Sequence, residues 1–278
     1  MRVLSLPIAS LCAFLFALAS ADAAGPEKIA FPGEDGVTLR GWLYAPTATG
    51  RHPAVVALHG CSGLTDKDGA PSARHSDWGQ RLSAMGYIVL FPDSFASRGL
   101  GPQCRESERE VHPSRERVAD ADAAMRYLSG RPDVDVKSIS LIGWSNGGSS
   151  TLYAVQPKNA PDGVDFARAV AFYPGCRTPL ETGRWRSRLP LLILIGADDD
   201  WTPAAPCADL AAQAKAAGEN VAIIIYPQAY HDFDHPNLPV HVVEGLAFTA
   251  NGRGGAHTGT NPAARADAIK QVADFLKR

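Results

Sequence analysis

The chain has 278 residues, 45% of them hydrophobic and 20% charged, and a formal net charge of −2. A balance this close to neutral gives no electrostatic pull toward nucleic acid, and no block of like charges marks a basic or acidic tail. There is no internal repeat, and after the first residues no hydrophobic run is long enough for a membrane span.

The N-terminus reads as a secretory signal. Arg2 supplies the positive start, and LPIASLCAFLFALA is an apolar run shorter than the roughly 20 residues that span a bilayer. ASA and ADA then offer small-x-small cleavage sites. Cleavage is expected after Ala21 or Ala23, so residues 1–23 are assigned as signal peptide and 24–278 as a single mature domain. An uncleaved anchor is the alternative. Leu11 before Cys12 does not fit a lipoprotein signal. The expected location is periplasmic or secreted. Removing the leader leaves Cys61, Cys104, Cys176 and Cys207, an even number that in an exported chain points to disulfides rather than four free thiols. No CxxC occurs, which removes support for zinc ribbons and thioredoxin-like redox sites.

Asp35-Gly36 predicts a hairpin turn between EKIAF and the alternating VTLRGWLYAP (37–46). PAVVALHG (53–60) is a continuous apolar strand ending in glycine. DWGQRLSAMG (77–86) has helical spacing and a glycine stop, and YIVLFPDSF (87–95) is again strand. A long helix is expected from Ser114 to Leu128. SISLIGW leads into the helix GGSSTLYAVQ, and ARAVAFYPG and PLLILIG are strands. The helix PCADLAAQAKAAG, the strand NVAIIIYP (220–227) and the helix PAARADAIKQVADFLK complete the chain. Short apolar runs alternating with helices predict an α/β domain with a mostly parallel sheet covered on both faces and an antiparallel hairpin at the front. The polar stretches 96–111 and 235–261 break this rhythm. Both follow strands, so both should hang over the same end of the sheet.

GWSNGG places Ser145 between glycines where a buried strand meets a helix. This is the context of a nucleophile elbow, a turn too tight for side chains at Gly143 and Gly147. The helix beginning there points its amides at the serine, and Gly148 lets it pack close to the sheet. Such a serine requires an acid after a later strand and then a histidine. GADDDWTP offers Asp198, Asp199 and Asp200. Asp199 is the choice by spacing and Asp198 the runner-up, while one of the remaining aspartates is expected to cap the next helix. YHDFD, after the last strand, supplies His231. In this arrangement His231 takes the proton of Ser145 as the hydroxyl attacks an acyl carbonyl, and Asp199 holds the imidazole. The oxyanion amides are expected at Asn146, which follows the nucleophile, and at Cys61, after VVALHG.

LHGCSGL, GWSNGG, GADDDWTP and YHDFD, in this order over roughly Gly36 to Leu276, resemble the dienelactone hydrolase family. The resemblance implies an α/β-hydrolase fold of about eight strands. It also puts the nucleophile at Ser145, the acid at Asp199, the base at His231 and the oxyanion amides at Cys61 and Asn146. The chain departs from the best-known members in having serine rather than cysteine as nucleophile, an export signal, and Gly60 where those enzymes carry a glutamate. General ester hydrolysis therefore suits it as well as lactone hydrolysis. Strand neighbours in the implied fold pair Cys61 with Cys104 and Cys176 with Cys207. Trp144 and Trp201, beside the nucleophile and the acid, are expected to line an apolar substrate pocket, the alternative being plain packing.

Two rival readings accompany this one. HDFDH (231–235) holds nitrogen and oxygen donors that suit a metal-dependent hydrolase, and the fold by itself would also serve a non-catalytic binding protein. The favoured reading implies no cofactor and no metal. Its partner is a small ester or lactone, with no nucleic acid and, after signal removal, no membrane; the sequence sets no oligomeric state.

Overall fold

Asp35 and Gly36 both take left-handed backbone angles, φ 52° and 76°, the geometry whose twist matches two paired strands. In this computed structural model, which describes residues 25–278, the turn joins β1 (Glu27–Pro32) to β2 (Thr38–Tyr44) as an antiparallel hairpin. The expected signal segment lies outside the described residues, and so does Cys12.

The hairpin extends a larger sheet containing β3 (His52–Leu58), β4 (Ile88–Pro92), β5 (Val134–Trp144), β6 (Arg168–Phe172), β7 (Leu191–Gly196) and β8 (Val221–Tyr226). The eight strands lie in the order β1-β2-β4-β3-β5-β6-β7-β8. β2 meets β4 antiparallel, and every pairing from β4 onward is parallel. Parallel neighbours need crossovers, and here the crossovers are helices covering both faces. These are α1 (Ala73–Ala84), α2 (Glu116–Ser129), α3 (Asn146–Ala154), the short α4 (Arg177–Glu181), α5 (Ala204–Ala216) and α6 (Pro262–Leu276). Because both faces are covered, the strands need apolar residues at every position rather than at alternate ones. All of β4 and β7 and the last six residues of β5 are buried. Each fully buried Leu, Ile or Val there contributes about 1.5–3 kcal/mol. An Arg265–Asp77 ion pair of 2.6 Å links α6 to α1. Among the described residues, no helix is long and apolar enough to cross a membrane.

α1 begins at Ala73, before the expected Asp77, and β5 at Val134, before the expected Ser138; three further features differ from expectation. α2 starts two residues late, at Glu116, because the Glu116 carboxylate accepts the His112 amide (2.7 Å) and so caps the turn before it. α4 was not anticipated; it fills the span between β6 and β7. The 235–261 stretch is not without structure: β9 (His241–Val243) and β10 (Ala256–Thr258) pair antiparallel within it, and Thr258 bridges back to His231.

The two long stretches meet above the sheet. The Ala247 amide donates to the Cys104 carbonyl at 3.0 Å, Arg105 donates to the Glu244 carbonyl at 3.1 Å, and the Arg109 guanidinium lies 4.7 Å from the Phe248 ring centre. β3, β5, β7 and β8 are parallel, so the residues after their last positions—Cys61, Ser145, Asp199 and His231—emerge along one edge.

Candidate active site

Ser145 joins β5 to α3 with φ 53° and ψ −114°, a conformation that costs a non-glycine residue about 1–3 kcal/mol. The surroundings impose it. The Ser145 amide donates to the Phe172 carbonyl (2.9 Å), and its carbonyl accepts from the Ser149 amide (2.8 Å). A Cβ at Gly143 would run into the Gly147 carbonyl, and one at Gly147 into the Leu58 carbonyl. Those two glycines therefore allow α3 to approach closely enough to tie down both sides of the serine.

The hydroxyl of Ser145 donates to His231 Nε2 at 2.9 Å, and His231 Nδ1–H donates to Asp199 Oδ2 at 2.8 Å. Asp199 is fixed in turn: its Oδ1 accepts the amides of Trp201 (3.0 Å) and Thr202 (2.8 Å), and Thr202 Oγ1 donates to its Oδ2 at 3.1 Å. Rings on either side shield the imidazole, with Trp201 centred 4.6 Å and Tyr173 4.5 Å away. His231 is only 1% exposed, and Ser145 8%. Burial opposes a charged imidazole, but the carboxylates of Asp199 and Asp232 outweigh it, and the His231 pKa ends above its ordinary value.

The three aspartates have separate partners. Asp199 faces His231, while Asp200 accepts the amide (2.7 Å) and Nδ1–H (2.8 Å) of His257 on β10. Asp198 is exposed. The expectation that one of them caps α5 is not met: Pro203 occupies that position, and no side chain caps the helix.

Trp144 is a correction. Its side chain is completely buried, stacked on Phe172 (5.5 Å) and Phe91 (6.2 Å), and its indole N–H donates to Asp234 Oδ2 at 2.8 Å. On a central strand covered on both faces, the residue before the elbow has no open side. Trp201 does line the cavity in front of Ser145.

The HDFDH segment carried the rival metal-dependent reading. Its carboxylates diverge toward cationic and neutral donors rather than converging as ligands. Asp232 pairs with the buried Arg74 and accepts Thr258 Oγ1 (2.9 Å). Asp234 accepts the indoles of Trp78 (2.7 Å) and Trp144 and the hydroxyl of Tyr173 (2.6 Å). Arg74 also donates to the Tyr173 hydroxyl at 2.9 Å. Arg74 and Tyr173 carried no sequence signal, because their neighbours in chain gave them no motif; Thr202 lay inside GADDDWTP but was given no role. His59 stands next to last in the run PAVVALHG and was given no role by the sequence. Its Nδ1–H donates to the Gly60 carbonyl (2.8 Å), and its Nε2 accepts the Ser94 amide (3.2 Å). A trans peptide points its C=O and N–H in opposite directions, so this bond turns the Cys61 N–H away from His59.

Cys61 and Asn146 share the floor of the cavity with Ser145. The cavity measures about 550 Å³, and its walls include Arg109, Tyr153, Arg177, Trp201, Pro206 and Phe248. Cys61 is bonded to Cys104 and Cys176 to Cys207, with Cα–Cα separations of 4.9 and 5.0 Å; these bonds fit the expected pairing. The Cys61 carbonyl further accepts the Gln103 amide at 2.7 Å.

A mostly parallel eight-stranded sheet in this strand order, with a strained serine at the turn after β5, defines an α/β-hydrolase. Within that class the chain belongs to the dienelactone hydrolase family, whose family model matches residues 39–278. It is 26% identical over 233 residues to a Methylorubrum extorquens protein named as a carboxymethylenebutenolidase, covering 80% of this chain and 76% of that one. Among solved structures it resembles a Klebsiella pneumoniae protein designated a dienelactone hydrolase (TM-score 0.66, 18% identity, 91% of this chain and 98% of that chain). It also resembles the acylaminoacyl peptidase of Pyrococcus horikoshii (TM-score 0.63, 18% identity), covering 91% of this chain but 42% of the peptidase. At these identities the structural likeness concerns the fold. The family makes the chain a hydrolase.

Proposed function

We propose that this protein is an exported serine hydrolase that cleaves small carboxylic esters or lactones through Ser145, His231 and Asp199, after loss of residues 1–23 leaves 24–278 as one domain. The observation that carries this reading is the continuous hydrogen-bonded line from Ser145 Oγ through His231 to Asp199, opening onto the cavity. The Ser145 oxygen bonds to the ester carbon as its proton passes to His231 Nε2 and the carbonyl electron pair moves onto oxygen. The amides of Cys61 and Asn146 receive that oxyanion; one such donor is worth roughly 3–4 kcal/mol in the transition state. As the oxyanion collapses, His231 gives its proton to the departing alkoxide. Water then repeats the sequence on the acyl-enzyme, giving up its proton to His231 and releasing the acid and free Ser145.

Asp199 keeps the proton of the neutral imidazole on Nδ1, leaving the Nε2 lone pair toward the serine. The kinship with a protein named as a carboxymethylenebutenolidase supports lactones among the substrates, and Trp201 with Phe248 supports an apolar acyl or alcohol group. A fluorophosphonate probe with a graded panel of p-nitrophenyl esters and lactones tests the reading. The disulfide-intact protein should label at Ser145 and turn over members of the panel, and Ser145→Ala should do neither. A folded protein that does not label would overturn it.

A further inference from the structure

Arg117 is the second residue of α2, and it is completely buried. Its Nη1 donates to Asn146 Oδ1 at 2.6 Å, and the ring of Phe95 lies 5.3 Å from its central carbon. Its Nε and Nη2 are buried without a hydrogen-bond partner. Among the described residues, no carboxylate contacts this cation. Asp120 is taken up by two bonds from Arg98 (2.8 and 2.9 Å), and Asp93 Oδ1 accepts the amides of Phe95 (3.2 Å) and Ala96 (2.9 Å). Both act on Arg117 only through space. The guanidinium also sits at the N-terminus of α2 and against that of α3, where the partial charge of the helix disfavours a cation.

For stability alone this is a poor arrangement, since a buried charge without a paired counter-ion costs the fold free energy. Burial pushes its pKa down to about 10, which still leaves it protonated at neutral pH. What lies beside it is Asn146, whose backbone N–H is one of the first, unpaired amides of α3 and borders the cavity with Ser145.

We propose that Arg117 is a positioning residue for hydrolysis: it holds Asn146 so that the Asn146 amide faces the substrate carbonyl, and its unpaired charge favours the oxyanion that forms there. This rests on the serine-hydrolase reading above. In the attack step the proton of Ser145 moves to His231 and the carbonyl electron pair moves to oxygen. Negative charge near Arg117 therefore appears only as the intermediate forms. An interaction of that kind raises kcat and leaves ground-state binding nearly unchanged.

The test compares wild type with Arg117→Met, Arg117→Lys and Asn146→Asp, each shown to be folded by circular dichroism. Measured for each are fluorophosphonate labelling, kcat and KM for p-nitrophenyl acetate, and the affinity of phenylboronic acid, which adds to a serine as a tetrahedral anion. Arg117→Met should lose on the order of 10- to 100-fold in kcat, at or below the loss for a direct oxyanion donor. Its boronate affinity should fall in step while KM stays within about twofold. Arg117→Lys, which keeps the charge but not the fork, should recover most of that loss. Asn146→Asp supplies the missing counter-ion; it should be at least as stable as wild type and yet lose kcat comparably. Intact kcat in a folded Asn146→Asp overturns the proposal even if Arg117→Met does not fold. Wild-type kcat and boronate affinity in a folded Arg117→Met overturn it as well. Absence of labelling in the wild type would remove the underlying serine-hydrolase reading, and this proposal with it.

Discussion

Replacing Asp234 with alanine tests the polar network beneath the site. The carboxylate is completely buried and accepts three donors from three elements: the indole of Trp78 on α1 (2.7 Å), the indole of Trp144 on β5 (2.8 Å) and the hydroxyl of Tyr173 after β6 (2.6 Å). A hydrogen bond to a charged acceptor contributes about 1.5–3 kcal/mol, and a buried donor left unpaired costs about 1–3 kcal/mol. The three losses are coupled through one group, so they do not simply add. A total of about 4–6 kcal/mol is expected, which for a domain of this size lowers Tm by roughly 10–20 °C. Asp234→Asn keeps an acceptor for the two indoles and should lose less than half as much. The assay is thermal unfolding followed by circular dichroism and tryptophan emission with the disulfides intact. A shift under about 3 °C for Asp234→Ala would refute the view that this carboxylate holds the three elements together.

Three further outcomes follow from the same geometry. Because Asp199 and Asp232 hold the His231 pKa up, kcat/KM should rise with pH through a midpoint above the ordinary 6.5; Asp232→Asn should move the midpoint down, and an unmoved midpoint would remove Asp232 from the balance. Burial, aided by the nearby Arg74, pushes the fully buried His75 down to about 3. Its neutral form is thus bound to the folded state, and the stability it supports is present above about 6.5 and lost as pH falls toward 3. Relative to His75→Gln, which cancels the opposing contributions of Asp93 and Asp122 with their raised values, wild type should lose up to about 1.4 kcal/mol per pH unit below 6.5 in denaturant melts. Phe248 is 53% exposed on the cavity wall, so Phe248→Ala should change stability by less than about 1 kcal/mol and raise KM for aryl esters more than for acetate esters. Equal effects on both would detach this ring from substrate selection.

The parts of the site that could be read from sequence are those whose spacing follows from chain geometry. A serine between glycines at a strand end demands an acid and then a histidine after later strands, and residues 145, 199 and 231 satisfy that demand in order. The strand pattern was legible because a sheet covered on both faces needs uninterrupted apolar runs such as PLLILIG. What escaped was set by direction rather than spacing. Trp144 adjoins the nucleophile in the chain, yet its side chain is wholly buried among core aromatics, while that of Ser145 meets His231 beside the cavity. HDFDH has the composition of a metal site, but Asp232 and Asp234 answer to Arg74, Trp78 and Tyr173, which are distant in sequence and bear no motif. One of the two remaining aspartates was expected as a helix cap; Asp200 instead meets His257 on β10, which was hidden in a segment read as loop.

The bond between Cys61 and Cys104 has a consequence for the proposed reaction. Cys61 is at once a crosslinked residue and, in the proposed reaction, the bearer of an anion-receiving amide; through Cys104 it is also joined to both stretches that roof the cavity. Forming that sulfur pair therefore also fastens the loop that, in the proposed reaction, carries this amide. With the thiols reduced, Cys61 keeps its place in the chain but loses its covalent tie to the stretch that carries Cys104.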